Sequence, residues 1–369
     1  MTLNADKLAI VALTRRGLAI AERLRGPLSA TEVLCTSRAG GSRSDSTPAT
    51  LADLAPRLLA DYDAIVFVMA LGIVVRVVGP LARDKSRDPA VVVVDEAGQF
   101  AISVLGGHRG GANQLARRVA ELLGATPVIT TASDVLGLPA VDLMGREFGW
   151  KLEREENLTT VASAVVNGQP VAVFQDAGER DWWQAFGPWP EHFCELASLV
   201  ELDERFAALV VISDREVDGE LANWPKPTLV FRPRSLAVGV GCRRGVGLAE
   251  VERQFCRVLH DHQLAIGSVF ALATAWLKAD EPALVEFARR LGVPLRNFSA
   301  EELRTVTPLP TPSETVFDKI GLHGVAEAAA MFAAGCRELI VTKQASESVT
   351  IAVARVLAIA GPPAVSLHA

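Results

Sequence analysis

Short apolar runs recur from residue 8 to about residue 130, at Leu8 to Leu13, Glu32 to Cys35, Ala64 to Met69, Val91 to Val94 and Pro127 to Thr130, with helix-like stretches between them. This alternation indicates a parallel sheet covered by helices and excludes most all-β and all-α arrangements. Between the last two runs, Ala112 to Leu123 carries Leu115, Val119, Leu122 and Leu123 on one stripe, with Arg117, Arg118 and Glu121 off it. It predicts a helix that packs one face on the sheet.

The texture changes between about 131 and 232. Trp182, Trp183 and Trp189 cluster around Gly187, Pro188 and Pro190, and Val171 to Phe174 and Leu209 to Ile212 read as strands. The Pro-rich stretch Trp224 to Pro227, then Arg232-Pro233-Arg234, reads as the connection to a third section. There a strand at Leu236 to Val240 leads through a glycine loop, Gly241 to Gly247, into a helix from Leu248 to about His260. Helices at Pro282 to Leu291 and Val325 to Ala334 and strands at Leu339 to Thr342 and Val349 to Ala354 follow.

With 369 residues the chain exceeds one ordinary core. The expected fold class is therefore α/β in three sections. They are an N-terminal open, mostly parallel sheet with covering helices (1–133), a smaller α/β middle section (134–232) and an α/β C-terminal domain (233–369). Ala39 to Thr50, rich in Gly, Ser, Asp and Pro, is predicted to be a surface loop.

A formal charge of −6, 6% aromatic residues and a single tyrosine, Tyr62, argue against a nucleic-acid partner. Cys35, Cys194, Cys242, Cys256 and Cys336 form no C-x-x-C pair, which suits a reducing compartment. Met1 to Lys7 lacks the basic start and apolar core of a signal peptide, and no apolar run reaches transmembrane length. The expectation is a cytoplasmic protein with no membrane partner. His260 and His262 would leave a helix on different faces, so no metal site is expected. The Gly239 to Gly247 run has G-x-G-x-x-x-G spacing and not the dinucleotide fingerprint, and neither a Walker pattern nor a G-x-S-x-G elbow is present.

The densest chemistry lies at Asp95-Glu96-Ala97-Gly98 and Leu105-Gly106-Gly107-His108-Arg109-Gly110-Gly111-Ala112-Asn113, read as strand end, glycine loop and helix start. Paired glycines admit close backbone approach, and N–H groups at a helix start favour an anion. His108 adds a group that titrates near neutrality, and Arg109 a fixed charge. Lys85 with Asp88, and Asp95 with Glu96, flank the Val91 to Val94 strand, as ligand-crevice charges or as solvated turn residues. Thr131, Ser133 and Asp134 follow the next strand and either contact a ligand or, through Asp134, cap a helix. Arg243 and Arg244, beside the second glycine loop, suit carboxylates or are solvated arginines of a tight turn.

These blocks resemble the cobalt-precorrin 5A hydrolase (CbiG) family of anaerobic cobalamin biosynthesis. The first matching block comprises Ala70 to Arg76, Gly79-Pro80-Leu81, Asp84-Lys85, Asp88 to Glu96, Gly107 to Asn113 and Pro127 to Asp134. The second comprises Gly239 to Gly245, Leu277 to Pro282, Thr311 to Glu314, Gly324 to Ala330 and Lys343. Arg109 stands where the family more often has an apolar residue, and Ala275-Trp276 where an Ile-Asp pair is usual.

The resemblance implies that water opens the ring A acetate δ-lactone of a cobalt-bound, ring-contracted tetrapyrrole, which then loses acetaldehyde. His108 is expected to be the base, with N–H groups of Gly110 and Gly111 holding the oxyanion, and Glu314 is a second catalytic candidate. Arg76, Arg243, Arg244, Lys278 and Lys343 are expected to anchor substrate carboxylates. Lys85, Asp95, Glu96, Gly107, Arg109, Asn113, Thr131, Asp134, Cys242 and Glu281 complete the expected binding set. No cofactor is expected, the cobalt belonging to the substrate. The expected partners are the cobalt-corrinoid intermediate and other enzymes of the pathway, with a homodimer open, and the alternative function is a non-catalytic carrier of corrinoid intermediates.

Overall fold

Alternation along the first strand sorts one half of the protein into layers. Leu8, Ile10 and Ala12 enter one core while Ala9 and Val11 enter another, since successive strand side chains leave on opposite faces. The computed structural model describes residues 7–35, 50–82, 88–314, 317–318 and 321–356. The chain divides into two compact units, Met1–Leu143 and Met144–Ala369. Of the loop predicted at Ala39 to Thr50, only Thr50 lies among the described residues.

In the first unit the order is β1 (Leu8–Ala12), α1 (Arg15–Arg25), β2 (Glu32–Cys35), α2 (Leu51–Asp61), β3 (Ala64–Val68), α3 (Leu71–Val78) and β4 (Ala90–Val94). It continues with β5 (Phe100–Leu105), α4 (Ala112–Leu123), β6 (Thr126–Val128) and α5 (Ala132–Leu136). The sheet runs β2-β1-β3-β4-β5-β6. Strands β1 to β4 are mutually parallel, whereas β5 is antiparallel to β4 and β6 parallel to β5. Helices α1 and α4 cover one face and α2 and α3 the other, so β1, β3 and β4 are buried throughout. That double cover is why these strands read as unbroken apolar runs.

Strand β5 departs from the expectation, which joined Asp95-Glu96 to the glycine loop as one feature. At about 3.3 Å per residue, six strand residues separate the two by some 17–20 Å. They stand at opposite ends of the sheet. Asp95 instead builds the β4–β5 turn: its Oδ1 accepts from the backbone N–H of Gln99 (2.8 Å) and Phe100 (2.7 Å), and its Oδ2 from that of Ala97 (3.0 Å).

The second unit opens with β7 (Lys151–Glu153), α6 (Leu158–Val166), β8 (Val171–Gln175), β9 (Phe193–Leu196), β10 (Ala208–Ile212) and β11 (Thr228–Arg232). This sheet runs β7-β11-β10-β8-β9, parallel except for β7 at its edge. The tryptophan cluster is an aromatic packing group, with Trp182 buried and Trp189 edge-on to it at 6.1 Å.

A third sheet follows from β12 (Leu236–Cys242), α7 (Leu248–Asp261), β13 (Val269–Ala275), α8 (Pro282–Leu291), β14 (Leu295–Phe298), α9 (Ala300–Arg304), α10 (Ala326–Ala334), β15 (Leu339–Ala345) and β16 (Val349–Arg355). Its order is β14-β13-β12-β16-β15, with β12 to β14 parallel and β15 and β16 antiparallel. Helices α7 and α8 cover one face, and the alanine-rich α10 lies flat on the other. That close approach needs Gly239 in β12, where a Cβ would sit 1.8 Å from the Ala326 carbonyl oxygen.

The expected connection at Arg232-Pro233-Arg234 is no loose linker. Arg232 ends β11, and only three residues separate it from the start of β12. Buried Asp214, just beyond β10, accepts two bonds of 2.7 Å from Arg355 at the end of β16 and one of 2.7 Å from Ser235. The middle and C-terminal sections are thereby tied into one unit.

Candidate active site

The loop between β5 and α4 closes on itself. Gly111 donates to the His108 carbonyl (2.9 Å), Ala112 to that of Gly106 (3.0 Å) and Asn113 to that of Gly107 (3.0 Å). The Gly111 N–H is therefore taken, and so are the first N–H groups of α4, contrary to the expectation of free oxyanion donors there. The glycines are explained by the same closure. A Cβ on Gly110 would meet the Gly106 carbonyl oxygen at 2.8 Å, and Gly111 begins the helix at φ +85°.

Strands β5 and β6 are parallel, so the loops at their carboxyl ends lie side by side, and three segments converge on His108. Its Nε2 is 3.0 Å from Asp134 Oδ2 and 3.0 Å from Ser133 Oγ, both on α5, and its Nδ1 is 3.2 Å from Asp142 Oδ1. Asp134 also receives Arg117 Nη2 at 2.5 Å and Asn113 Nδ2 at 2.9 Å. Asn113, buried, donates further to Thr131 Oγ1 (3.0 Å), while its Oδ1 accepts from Ser103 Oγ (2.7 Å). Both N–H groups of its amide are thus engaged inside the protein, tying Asn113 to Asp134 and Thr131. Asp134 lies inside α5, whose N-cap is Thr131, which removes the capping role. Gly107 approaches Asn113 and Thr131, its Cβ position being 3.1 and 3.2 Å from their side chains.

The charges in this cluster are coupled. Burial works against a charged His108, but the hydrogen bonds and negative charges of Asp142 and then Asp134 outweigh it and hold the imidazole above its ordinary value. Burial likewise opposes the Asp134 charge, yet Arg117 and then His108 bring that carboxyl below its ordinary value. A carboxylate at each nitrogen favours the imidazolium over the neutral ring. The His108 ring is 19% exposed and so within reach of a ligand. Arg109 sits partly buried beside it.

The remaining candidates divide among other places. Arg76 is exposed on α3, with Nη1 3.3 Å from the Gly72 carbonyl, and Glu96 is exposed in the β4–β5 turn. Lys85 lies outside the described residues. In the second unit, loops at the carboxyl ends of β12 and β13 meet. Buried Glu281 accepts from Gly245 N–H (2.9 Å) and pairs with Lys278 Nζ (3.3 Å), and Arg244 Nη2 donates to the Leu277 carbonyl (3.2 Å). Burial pushes the Cys242 thiol up, with Lys278 acting against the shift and Glu281 with it. Arg243 and Arg244 are exposed, and so are Trp276 and Leu277.

Lys343 donates through Nζ to the Thr311 carbonyl (3.0 Å), and buried Glu327 ties Lys343 N–H (3.0 Å) to Thr311 N–H (3.1 Å) and Oγ1 (2.7 Å). Glu314, the second catalytic candidate, is a surface carboxylate 80% exposed, 3.7 Å from His323.

Asp142 and Glu327 are the functional-looking residues that the sequence reading missed. Asp142 lies among Pro139, Ala140, Val141 and Leu143 in an irregular stretch with no motif around it. Among the described residues no three His, Cys, Asp or Glu side chains are arranged to hold a metal ion, and no helix is long and apolar enough to cross a membrane.

Three family profiles match the chain: "Cobalamin synthesis G N-terminal" over residues 53–134, "Cobalamin biosynthesis central region" over 139–233 and "Cobalamin synthesis G C-terminus" over 236–354. A protein of Priestia megaterium named cobalt-precorrin-5A hydrolase is 39% identical over 352 residues, 94% of each chain. One of the same name from Salmonella typhimurium is 33% identical over 311 residues, 82% of this chain and 85% of its own. A solved structure, a putative cobalamin biosynthesis protein G homologue from Sulfolobus solfataricus, aligns over 95% of this chain and 97% of its own at 24% identity, with a TM-score of 0.37. Matched by profiles in all three sections and by relatives along nearly its whole length, the chain belongs to the cobalt-precorrin-5A hydrolase family.

Proposed function

We propose that this chain hydrolyses cobalt-precorrin 5A, opening the ring A acetate δ-lactone and releasing acetaldehyde, as a cytoplasmic hydrolase acting on a carbon–carbon bond. The observation that carries the reading is the 39% identity, over 94% of both chains, to a protein of that name. The His108 cluster supplies chemistry that suits it.

Lactone opening needs a proton for the departing ring oxygen, and His108, whose two carboxylates favour its protonated form, can carry one. Water adds to the lactone carbonyl carbon, the acyl–oxygen bond breaks, and His108 protonates the departing oxygen while both water protons pass to solvent. A 1-hydroxyethyl group and a free acetate result. Neutral His108 then takes the hydroxyl proton as the carbon–carbon bond breaks. The oxygen becomes the carbonyl of acetaldehyde, the bonding pair passes into the conjugated macrocycle, and the imidazolium is restored. In the second unit, exposed Arg243 and Arg244 next to exposed Trp276 suit a carboxylate-bearing ring system.

The test is incubation of wild type and His108→Ala with cobalt-precorrin 5A, assaying acetaldehyde and bound macrocycle. Wild type should release acetaldehyde, and the variant should bind but turn over about 10²–10⁴-fold more slowly. Binding by wild type without acetaldehyde would instead indicate a carrier. Release by His108→Ala at the wild-type rate would remove His108 from the reaction.

A further inference from the structure

The two carboxylates on His108 are not equivalent. Asp134 shares its charge among the Arg117 guanidinium at 2.5 Å, the Asn113 amide at 2.9 Å and His108 Nε2 at 3.0 Å. Asp142 meets the other nitrogen, Nδ1, at 3.2 Å, and its side chain is 13% exposed. A neutral imidazole donates from only one nitrogen, so acceptors at both favour the doubly protonated ring. Ser133 Oγ, 3.0 Å from Nε2, can donate or accept and discriminates between neither form.

We propose that Asp142 is the positioning residue of the reaction, holding the His108 ring through Nδ1 in the imidazolium form and leaving the proton on Nε2 as the one delivered to substrate. Asp134, fixed by Arg117 and Asn113, orients the Nε2 side, which Ser133 Oγ also approaches at 3.0 Å. The groups that bear on the ring are Asp134 and Ser133 from α5, Arg117 and Asn113 from α4 by way of Asp134, Arg109 within the loop, and Asp142. Of the two carboxylates, Asp142 is the stronger influence on the ring's protonation, ahead of Asp134. The proposal rests on the reading of His108 as the proton carrier in lactone opening.

The test is an NMR titration of nitrogen-labelled histidine in the full chain, run beside the pH profile of acetaldehyde release. In wild type both His108 nitrogens should be protonated at neutral pH, and a neutral tautomer there overturns the proposal without any variant. Asp142→Asn should lower the His108 pKa by about one unit or more. Because activity needs the imidazolium, the alkaline fall of kcat/KM should move to lower pH by the same shift. Asp142→Glu, which keeps the charge, should restore both. An unchanged His108 pKa in Asp142→Asn overturns the proposal. A pKa that falls while the alkaline limb stays in place supports Asp142's hold on the ring and overturns His108's part in the reaction.

Discussion

A histidine clasped by two carboxylates contributes to stability as well as to chemistry, and the sign of each contribution follows from the direction of its shift. His108 lies above its ordinary value, so its stabilising effect is full below about pH 6.5 and is lost as pH rises through the raised value. Asp134 lies below its ordinary value, so its effect is full above about pH 3.9 and is lost as pH falls through the lowered one. The melting-temperature difference between wild type and His108→Asn should therefore be largest in mildly acidic solution and shrink on the alkaline side. A difference that grows with pH would contradict the ion-pair geometry. His108, Thr131 and Asp134 were legible in the sequence because glycines and a strand end flag them. Asp142 was not, since its role exists only where the chain after α5 folds back on the loop. Asp95 was left open between a ligand-crevice charge and a turn residue, and its three backbone hydrogen bonds show the turn role.

At the scale of elements, the predicted α4, Ala112 to Leu123, coincides with the observed helix, and α7, α8, α10, β15 and β16 fall within a few residues of expectation. Long periodic stripes and capped ends make such elements readable. Strand β5 was not readable, because its six residues lie between two glycine turns and were absorbed into a loop. The cost of that miss was large, since it joined two ends of the sheet into one site. Glycines likewise cannot be assigned from sequence alone. Those around His108 looked suited to a ligand, yet Gly110 is set by the loop's own backbone, and Gly239 by a helix crossing a strand. Gly239→Ala should destabilise the second unit by about 3 kcal/mol or more in a denaturant titration, because the nearby Ala326 carbonyl cannot move without shifting α10. Wild-type stability in that variant would contradict the close packing of α10 on β12.

For the whole molecule, three sections were expected from texture, and three sheets are present among the described residues, gathered into two compact units. A Pro-rich stretch reads as a linker because proline and polar residues dominate it, whereas the tie between β10 and β16 depends on Asp214 and Arg355, 141 residues apart. Arg355→Ala leaves Asp214 buried with its charge uncompensated and should cost roughly 3 kcal/mol. It should also separate the unfolding of the middle and C-terminal sections, which calorimetry can follow. A single transition at the wild-type temperature would show that the pair is dispensable. In the proposed reaction water opens a lactone on the macrocycle before acetaldehyde departs. Its most direct test is turnover of cobalt-precorrin 5A by the full chain in ¹⁸O-labelled water, with the product macrocycle read by mass spectrometry. Acetaldehyde release with one labelled oxygen in the freed ring A carboxylate is expected; acetaldehyde release with an unlabelled macrocycle would contradict lactone opening by water.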